Sequence, residues 1–390
     1  MKRDPVIVAA VRTAIGRSGG ALATMPAHHF GAEVLKELLN RTNLKPEMID
    51  DVIMGNVLSG GGNIARLTAL KTDPSLGLTG LTIDRQCGSG INAINLAASA
   101  IRSGDGDIYI AGGIESYSQA PYLMGKPNKL YSVAPPQFIS PKLSPSEIGD
   151  PQMGITAENL VNKYSISREE QDEFALQSQK KMAIAIEENR FKEQIVPITV
   201  SKGKGESFVF DTDEHPRPQS TLDGLAKLPP AFLKDGSVTA GSSSGLNDSA
   251  AALVIMSREQ ADELNLKPLA VVRQYAVAGV DPNIMGIGPV PATVKVMEKS
   301  GLTLEDMDII EINEAFAAQV IACNRELKMD LSKVNVNGGA IAHGHPLGAT
   351  GAILATKAVY ELDRIRGRFA LLTACIGGGQ GIATILERES

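Results

Sequence analysis

Short runs of apolar residues alternate along the chain with stretches in which apolar residues recur every three or four positions. This texture is typical of α/β proteins, in which buried strands alternate with helices. A helix is predicted over residues 91–102, because Ile91, Ile94, Ala98 and Ile101 share one face and Gly104 follows as a stop. The predicted strands span residues 6–10, 52–54, 108–111, 253–256, 309–312 and 369–373.

The two ends of the chain resemble each other. Residues 51–56 and 308–313 each begin with Asp, continue through an apolar run and end with Asn. Residues 87–90 precede a predicted helix and strand, and the glycine-rich residues 348–351 precede another such pair. This internal similarity predicts two similar α/β halves.

The middle of the chain differs in texture. Seven prolines between Tyr117 and Gly154 discourage regular structure, and Ser167 with Glu170 then predicts the capped start of a helix that runs to about residue 190. We interpret this region as an insertion that forms a lid or a ligand-binding loop domain. The predicted domains are residues 1–117 plus 245–266 for the first half, 118–244 for the insertion, and 267–390 for the second half.

Composition narrows the possible classes of protein. The net charge is −6, which argues against a general nucleic-acid binder, and no stretch approaches 18 uninterrupted apolar residues, which argues against a membrane span. The three cysteines are widely spaced, so no disulfide framework is predicted, and a reducing, cytoplasmic location is expected. Glycine makes up 39 of 390 residues, which predicts close approaches between backbone segments.

Two cysteines are candidates for thiol chemistry. Cys87 stands just before a predicted helix, whose positive end would lower the thiol pKa, although a buried cysteine that acts as a small hydrophobe is the alternative. Cys375 ends a predicted strand and precedes a glycine loop around Gly377, whose N–H groups could form an oxyanion hole. A plain tight turn is the alternative for that loop.

Polar residues in two other segments complete the candidate chemistry. His343 and His345 lie in a glycine-rich segment, where an imidazole could take a thiol proton or bind an oxyanion. No carboxylate or cysteine cluster accompanies them, so a zinc site is not predicted. Asn313 ends a predicted strand and could face a ligand, or it could cap a surface helix.

Taken together, these segments resemble the thiolase family along essentially the whole chain. The matching stretches are Cys-Gly-Ser-Gly at 87–90, Gly-Gly-Ile-Glu-Ser at 112–116, Met-Gly-Ile-Thr-Ala-Glu-Asn at 153–159, Thr-Ala-Gly-Ser-Ser-Ser-Gly at 239–245, Asn-Glu-Ala-Phe at 313–316, Gly-His-Pro at 344–346 and Cys-Ile-Gly-Gly-Gly at 375–379. The resemblance implies a layered αβαβα core with an inserted loop domain. It also implies condensation of acyl-CoA with acetyl-CoA, or CoA-dependent thiolysis of a 3-ketoacyl-CoA.

The resemblance also implies roles for individual residues. Cys87 matches the nucleophile that carries the acyl group, and Cys375 the base at the α-carbon. His345 and Asn313 match one oxyanion hole, and the N–H groups of Cys87 and Gly377 match the second. The residues that match substrate-binding positions are Arg217 at the adenine, Ser244 at the pantetheine arm, and also Phe316 and Met153.

Several properties are expected on the same basis. Acyl-CoA and CoA are the expected small-molecule partners, neither a metal nor a redox cofactor is expected, and the family suggests a homodimer or homotetramer. Gln152 replaces a His common in short-chain members, which leaves the chain length open between acetyl transfer and longer-chain thiolysis. A catalytically silent acyl-CoA-binding protein is the remaining alternative. His343 stands where the family usually has an aliphatic or small residue, and we interpret it as a tolerated substitution.

Overall fold

The computed structural model describes residues 3–58, 62–75, 77–127 and 135–389. The strands are β1 (Pro5–Thr13), β2 (Gly16–Arg17), β3 (Asp51–Gly55), β4 (Leu81–Ile83), β5 (Ile108–Ser116), β6 (Leu123–Met124), β7 (Phe138–Ile139), β8 (Ile195–Val196), β9 (Ile198–Gly203), β10 (Glu206–Phe210), β11 (Asn247–Ser257), β12 (Ala270–Gly279), β13 (Ile309–Ile312), β14 (Phe369–Ile376) and β15 (Gln380–Glu387). The helices are α1 (Ala27–Thr42), α2 (Ile64–Thr72), α3 (Ser89–Ser103), α4 (Met153–Tyr164), α5 (Arg168–Glu187), α6 (Leu222–Ala226), α7 (Arg258–Glu263), α8 (Pro289–Ser300), α9 (Ala317–Leu327), α10 (Ala340–His343) and α11 (Leu347–Ile365).

The large mixed sheet has the same strand order in its two halves. It runs β13-β14-β15-β12-β1-β11-β5-β3-β4, so the order β1-β11-β5-β3 in one half matches β12-β15-β14-β13 in the other. The halves meet where β1 pairs with β12 over Val6–Val271 and Ile7–Ala270. The two similar halves predicted from sequence are therefore confirmed. The boundaries assigned to the domains stay a prediction.

Helices α3 and α11 form the central layer of the molecule. Their apolar faces share one buried core with both halves of the sheet. A second core lies between α1, α2 and the outer face of the first half, and a third between α8, α9 and the second half. This gives the αβαβα layering, and it explains why β5 and β11 are buried along their whole length.

Glycine allows the two central helices to touch backbone to backbone. A Cβ atom on Gly90 would lie 2.7 Å from the amide nitrogen of Ala352, and one on Gly351 would lie 2.1 Å from that of Ile91. Larger side chains would force α3 and α11 apart, and both helices begin beside candidate catalytic residues. The excess of glycine in the composition thus has a structural cause in close backbone approach.

The predicted elements are present, with two local corrections. Each predicted strand lies within an observed one, and the capping box of Ser167 and Glu170 begins α5. Residues 348–351 were expected to precede a helix, but α11 begins at Leu347 and already includes them. Asn313 was considered as a helix cap, but α9 begins only at Ala317, so its side chain is free for another role.

Candidate active site

Cys87 lies in a short 3-10 turn, Gln86–Gly88, that leads directly into α3. Gln86 adopts φ 46°, a left-handed conformation that is unfavourable for a residue with a side chain. The side chain of Asp84 holds it there by accepting a hydrogen bond from the Gln86 N–H at 2.7 Å. The turn packs against β14 and the first part of α11, which brings Cys87 to the segments that carry Cys375 and His345.

The Cys87 thiol is protonated in the free protein. Burial raises its pKa to about 11, although the backbone N–H groups of Gly377 and of Cys87 itself act in the opposite direction, and the charges of Glu115 and Asp84 raise it further. The lowered pKa expected for Cys87 is therefore not found in the unliganded site, because burial outweighs the backbone donors. The N–H groups of Cys87 and Gly377 both act on this sulfur, so both donors lie beside the atom that would carry an acyl group.

Cys375 ends β14 inside an apolar cluster. Its buried neighbours include Phe316, Met285 and Val238, and Met153 packs against them. Burial raises the pKa of the Cys375 thiol well above its ordinary value, and the nearby Cys87 adds to the shift. A thiolate formed at Cys375 is therefore a stronger base than an ordinary one.

The third cysteine has a different environment. Cys323 is buried in α9, where its thiol contacts the carbonyl oxygen of Gly286 at 3.2 Å and the side chain of Gln319 at 3.7 Å. Cys323 is thus packed inside the helix that follows Asn313.

His345 is neutral and held at both ring nitrogens. Its Nε2 lies 3.3 Å from Nδ2 of Asn313, and its Nδ1 lies 2.6 Å from the hydroxyl oxygen of Thr350. Burial lowers the pKa of His345 to about 4. Oδ1 of Asn313 is buried without a hydrogen-bond partner among the described residues, so the amide can still accept a bond from a ligand or a water.

Thr350 fixes the tautomer of His345. Its hydroxyl donates to the carbonyl oxygen of Pro346 at 3.2 Å, so it accepts from Nδ1–H and leaves the lone pair of the imidazole on Nε2. In this state the ring can take up a proton at Nε2. Sequence reasoning missed Thr350, although a hydroxyl in the first turns after Gly-His-Pro is a usable signal.

Glu115 is a second residue that sequence reasoning missed. Its carboxylate accepts backbone N–H bonds from Val57 at 3.1 Å, Leu58 at 3.0 Å and Gly348 at 2.9 Å, so it ties the loop after β3 to the start of α11. Burial raises its pKa to about 7 despite these donors. The usable signal was its place in the Gly-Gly-Ile-Glu-Ser stretch at 112–116.

The segment before β11 lines the approach to the cysteines. Ser243 forms a β-bridge with Phe316, Ser244 donates its N–H to the carbonyl oxygen of Ala315 at 3.0 Å, and Leu246 bridges to His345. The structure thus brings Ser244 and Phe316 beside the segments that carry Asn313 and His345. Phe316 also makes an edge-to-face contact with Phe232 of the insertion, at 5.8 Å between ring centroids.

Arg217 lies apart from these residues on the insertion. It is exposed, and it lines a cleft of about 240 Å³ with Ser220, Gly241, Ser243 and Ile341. Ser243 belongs both to this cleft and to the segment that bridges to Phe316. A larger cavity of about 760 Å³ lies between α5 and α9, and none of the candidate catalytic residues lines it.

The described part of the chain contains neither a clustered metal-binding site nor a membrane-spanning helix. Within residues 3–58, 62–75, 77–127 and 135–389, no group of three or more His, Cys, Asp and Glu side chains is placed to hold a metal ion. Over the same residues, no helix combines the length and apolar character needed to cross a membrane.

Comparison with known proteins decides the family. The model of the thiolase N-terminal domain matches residues 5–259, and that of the thiolase C-terminal domain matches residues 266–388. The chain belongs to the thiolase family. An acetyl-CoA acetyltransferase of Pseudomonas aeruginosa is 49% identical to this thiolase over 99% of the chain and 100% of the relative.

Solved structures agree with this assignment. The crystal structure of the Bacillus anthracis acetyl-CoA acetyltransferase superposes with a TM-score of 0.93 at 44% identity and covers 99% of each chain. Human mitochondrial 3-ketoacyl-CoA thiolase in complex with CoA superposes with a TM-score of 0.91 at 42% identity, over 100% of this chain and 98% of that one. The thiolase fold expected from the sequence is confirmed.

The buried, neutral imidazole of His345 makes the stability of this thiolase depend on pH. The unfolded chain binds a proton at this histidine below about pH 6.5, whereas the folded chain does so only near pH 4, so acid favours unfolding between these values. From pH 8 to pH 5 this costs about 2 kcal/mol of unfolding free energy. Urea unfolding of His345→Asn is expected to show a pH dependence smaller by that amount. An equal pH dependence in the two proteins would contradict the neutral, buried assignment.

Proposed function

We propose that this thiolase is an acetyl-CoA C-acetyltransferase, which joins two acetyl-CoA molecules into acetoacetyl-CoA and CoA and also catalyses the reverse thiolysis. The observation that carries the proposal is the convergence of two cysteines at one place. A Cβ atom on Gly88 would lie 2.6 Å from Cδ1 of Ile376, and one on Gly377 would lie 3.9 Å from Cγ of Gln86, so the residues next to Cys87 contact the residues that follow Cys375. Two cysteines suit a reaction in which one thiol attacks a thioester as the nucleophile and the other removes a proton from an α-carbon as the base.

Acylation begins from two neutral side chains. The thiol of Cys87 gives its proton to Nε2 of His345 as its sulfur attacks the thioester carbonyl of acetyl-CoA. The oxyanion lies between the N–H groups of Cys87 and Gly377, and the bond from the carbonyl carbon to the CoA sulfur then breaks. The departing CoA sulfur takes the proton of Cys375, which leaves an acetylated Cys87, an imidazolium at His345 and a thiolate at Cys375.

Condensation uses the two charged groups that acylation leaves behind. The thiolate of Cys375 removes a proton from the α-carbon of a second acetyl-CoA, and the enolate oxygen is held by Nε2–H of His345 and by Asn313 through a water. The enolate carbon attacks the acetyl group on Cys87, and the carbon–sulfur bond to Cys87 breaks. Cys87 regains its proton from His345, so the enzyme returns to its starting state without a metal or redox cofactor.

The strong basicity of Cys375 suits this second step. An α-proton of a thioester is only weakly acidic, so its base must bind protons more tightly than an ordinary thiolate does. The apolar cluster of Phe316, Met285, Val238 and Met153 provides that basicity, because it destabilises the charged sulfur. The same cluster excludes water, which would otherwise quench the enolate or hydrolyse the acetyl thioester.

We propose that CoA is bound by the insertion, with the adenine at Arg217 and the pantetheine arm along Ser244. The exposed guanidinium at the rim of the cleft suits stacking on an aromatic base. Ser243 lines the cleft and bridges to Phe316, which packs in the cluster that contains Cys375, and this arrangement suits an extended ligand. A CoA complex of a similar thiolase supports this proposal.

A short acyl group fits the space beside the oxyanion donors. A Cβ atom on Gly377 would lie 3.1 Å from Leu143 and 3.6 Å from the sulfur of Met153, so two bulky side chains stand close to this backbone. Relatives that bear the name acetyl-CoA acetyltransferase support the same conclusion. A longer-chain 3-ketoacyl-CoA thiolase is the second candidate, because the human mitochondrial enzyme of that name shares the fold at 42% identity.

Thiolysis of 3-ketoacyl-CoA substrates from C4 to C16, measured as kcat/KM with free CoA, tests the proposal. We expect the C4 substrate to be fastest and the value to fall at least about tenfold by C8, since added methylenes must displace Leu143 and Met153. A maximum at C8 or longer would favour the longer-chain thiolase. No turnover at any length would favour a silent binding protein. The cytoplasmic location and the homodimeric or homotetrameric state stay predictions.

A further inference from the structure

The peptide group between Gly344 and His345 is held on both sides by side chains. Its N–H, on His345, donates to Oδ1 of Asn247 at 3.0 Å. Its carbonyl oxygen, on Gly344, lies 2.8 Å from Nδ1 of His343. A carbonyl oxygen only accepts, so Nδ1 of His343 carries the proton of this bond. Both polar atoms of a peptide group next to the candidate catalytic imidazole are thus held by side chains.

The Gly344–His345 peptide lies outside any helix or extended strand. Gly344 has φ 99° and follows the end of the four-residue helix α10, and a Cβ atom on it would lie 2.3 Å from the side chain of Asn247. His343 and His345 are both buried, with 2% and 6% of their surface exposed. Because a buried peptide group without partners is costly, these two side chains determine which orientation of the peptide is stable.

Asn247 anchors this peptide to the first half of the fold. It is fully buried at the start of β11, and its Nδ2 donates to the carbonyl oxygen of Gly16 at 2.9 Å. The neighbouring Leu246 forms a β-bridge with His345. His345 belongs to the second half of the fold. These contacts fix its backbone relative to β11 of the first half, which also carries Cys87.

Among the described residues, the side chain of His343 has one hydrogen bond, and that bond is to this peptide. Its Nε2 is buried without a hydrogen-bond partner among the described residues. The pKa of His343 lies well below its ordinary value, because of burial and the charges of Lys357 and Arg12. The ring is therefore neutral and donates through Nδ1. A side chain that merely fills space would not need a polar ring in this position.

We propose that His343 and Asn247 are positioning residues, which clamp the Gly344–His345 peptide and thereby aim Nε2 of His345 at the reacting thiol. The inference rests on the proposed role of His345. It replaces the interpretation of His343 as a tolerated substitution. A small error in the position of a base lowers the rate of proton transfer. Neither His343 nor Asn247 lines the cleft proposed for CoA, so the binding of CoA is expected to be unaffected.

The test compares His343→Leu, which keeps the volume and removes the donor, with His343→Asn, which keeps an N–H near the position of Nδ1. The measurement is the rate of acetylation of Cys87 by acetyl-CoA, followed by mass, over a range of acetyl-CoA concentrations. We expect His343→Leu to be about tenfold slower at saturation, with its half-saturating concentration within about twofold of the wild type. His343→Asn is expected to recover most of the rate.

Two more variants separate the clamp from a general loss of packing. Asn247→Ala removes the other contact, and because both residues hold one peptide group, the double variant with His343→Leu is expected to be no more than about twofold slower than Asn247→Ala alone. Thr356→Val is the matched control, since it removes a buried hydrogen bond at 2.8 Å elsewhere in α11 and is expected to keep the wild-type rate.

The outcomes distinguish the clamp from the proposed role of His345. A His343→Leu rate within twofold of the wild type, or equal slowing in His343→Asn, overturns the clamp. His345→Ala is measured in parallel. If it retains the wild-type rate, the proposed role of His345 fails and the clamp fails with it; if it is inactive while His343→Leu is normal, only the clamp fails.

Discussion

Replacing Cys87 with alanine is expected to lower the rates of condensation and of thiolysis by at least about 10⁴-fold. The reason is that, in the proposed mechanism, both directions pass through an acyl group on this sulfur. Cys375 lies in β14 inside an apolar cluster, and burial keeps it protonated, so it is not expected to replace Cys87 as the nucleophile. The initial rate with acetoacetyl-CoA and CoA measures the effect.

Cys323→Ala is the matched control for this variant, because it removes a buried thiol that lies inside α9. It is expected to keep the wild-type rate. Mass analysis after brief exposure to acetyl-CoA completes the test: the acetyl group is expected on the peptide that contains Cys87. A label on the Cys323 peptide, or no label on a turning-over enzyme, would overturn the assignment of the nucleophile.

Replacing Cys375 with alanine is expected to separate the two half-reactions. Condensation should fall by about 10³-fold or more, because no other base stands at the α-carbon. Acetylation of Cys87 should persist at a reduced rate, since His345 still takes its proton and water can protonate the departing CoA. Product formation and the mass of the Cys87 peptide, measured in the same sample, report the two steps separately.

The comparison of Cys375→Ala with Cys87→Ala tests the proposed division of roles between the two cysteines. Acetylated but unproductive enzyme is expected for Cys375→Ala, and unacetylated enzyme for Cys87→Ala. If Cys375→Ala condenses acetyl-CoA at the wild-type rate, another group removes the α-proton and the proposed division of roles is wrong. If both variants are unacetylated, Cys375 is needed already for acylation.

Local sequence patterns predicted the elements well because they are set by short-range rules. The strand at Ile309–Ile312 and the capping box of Ser167 and Glu170 each need only a few neighbouring residues to be recognised. The four candidate catalytic side chains were found because each stands in a recognisable stretch. Their roles stay predictions, although the structure brings their segments together.

Local sequence patterns could not predict the protonation state of Cys87. The position of Cys87 before α3 can be recognised in the sequence and by itself lowers a thiol pKa. The pKa also depends on burial and on charges that only folding brings to the sulfur. Burial and the charge of Glu115, which is distant in the sequence, outweigh the helix end and raise the value to about 11. We therefore propose that His345 activates the thiol during attack.

The sequence by itself determined the family, the alternation of strands and helices and the two similar halves, and it supplied the candidate reactive side chains. These features follow from residue types and from their spacing along the chain, which can be recognised without any tertiary contact. Only the tertiary structure decided that Thr350 fixes the imidazole of His345 and that Asn247 and His343 hold the peptide before it. The contact of Asn247 joins residues almost a hundred positions apart in the chain, and the bonds of Thr350 and His343 depend on rotamers that only packing sets, so no local pattern encodes them.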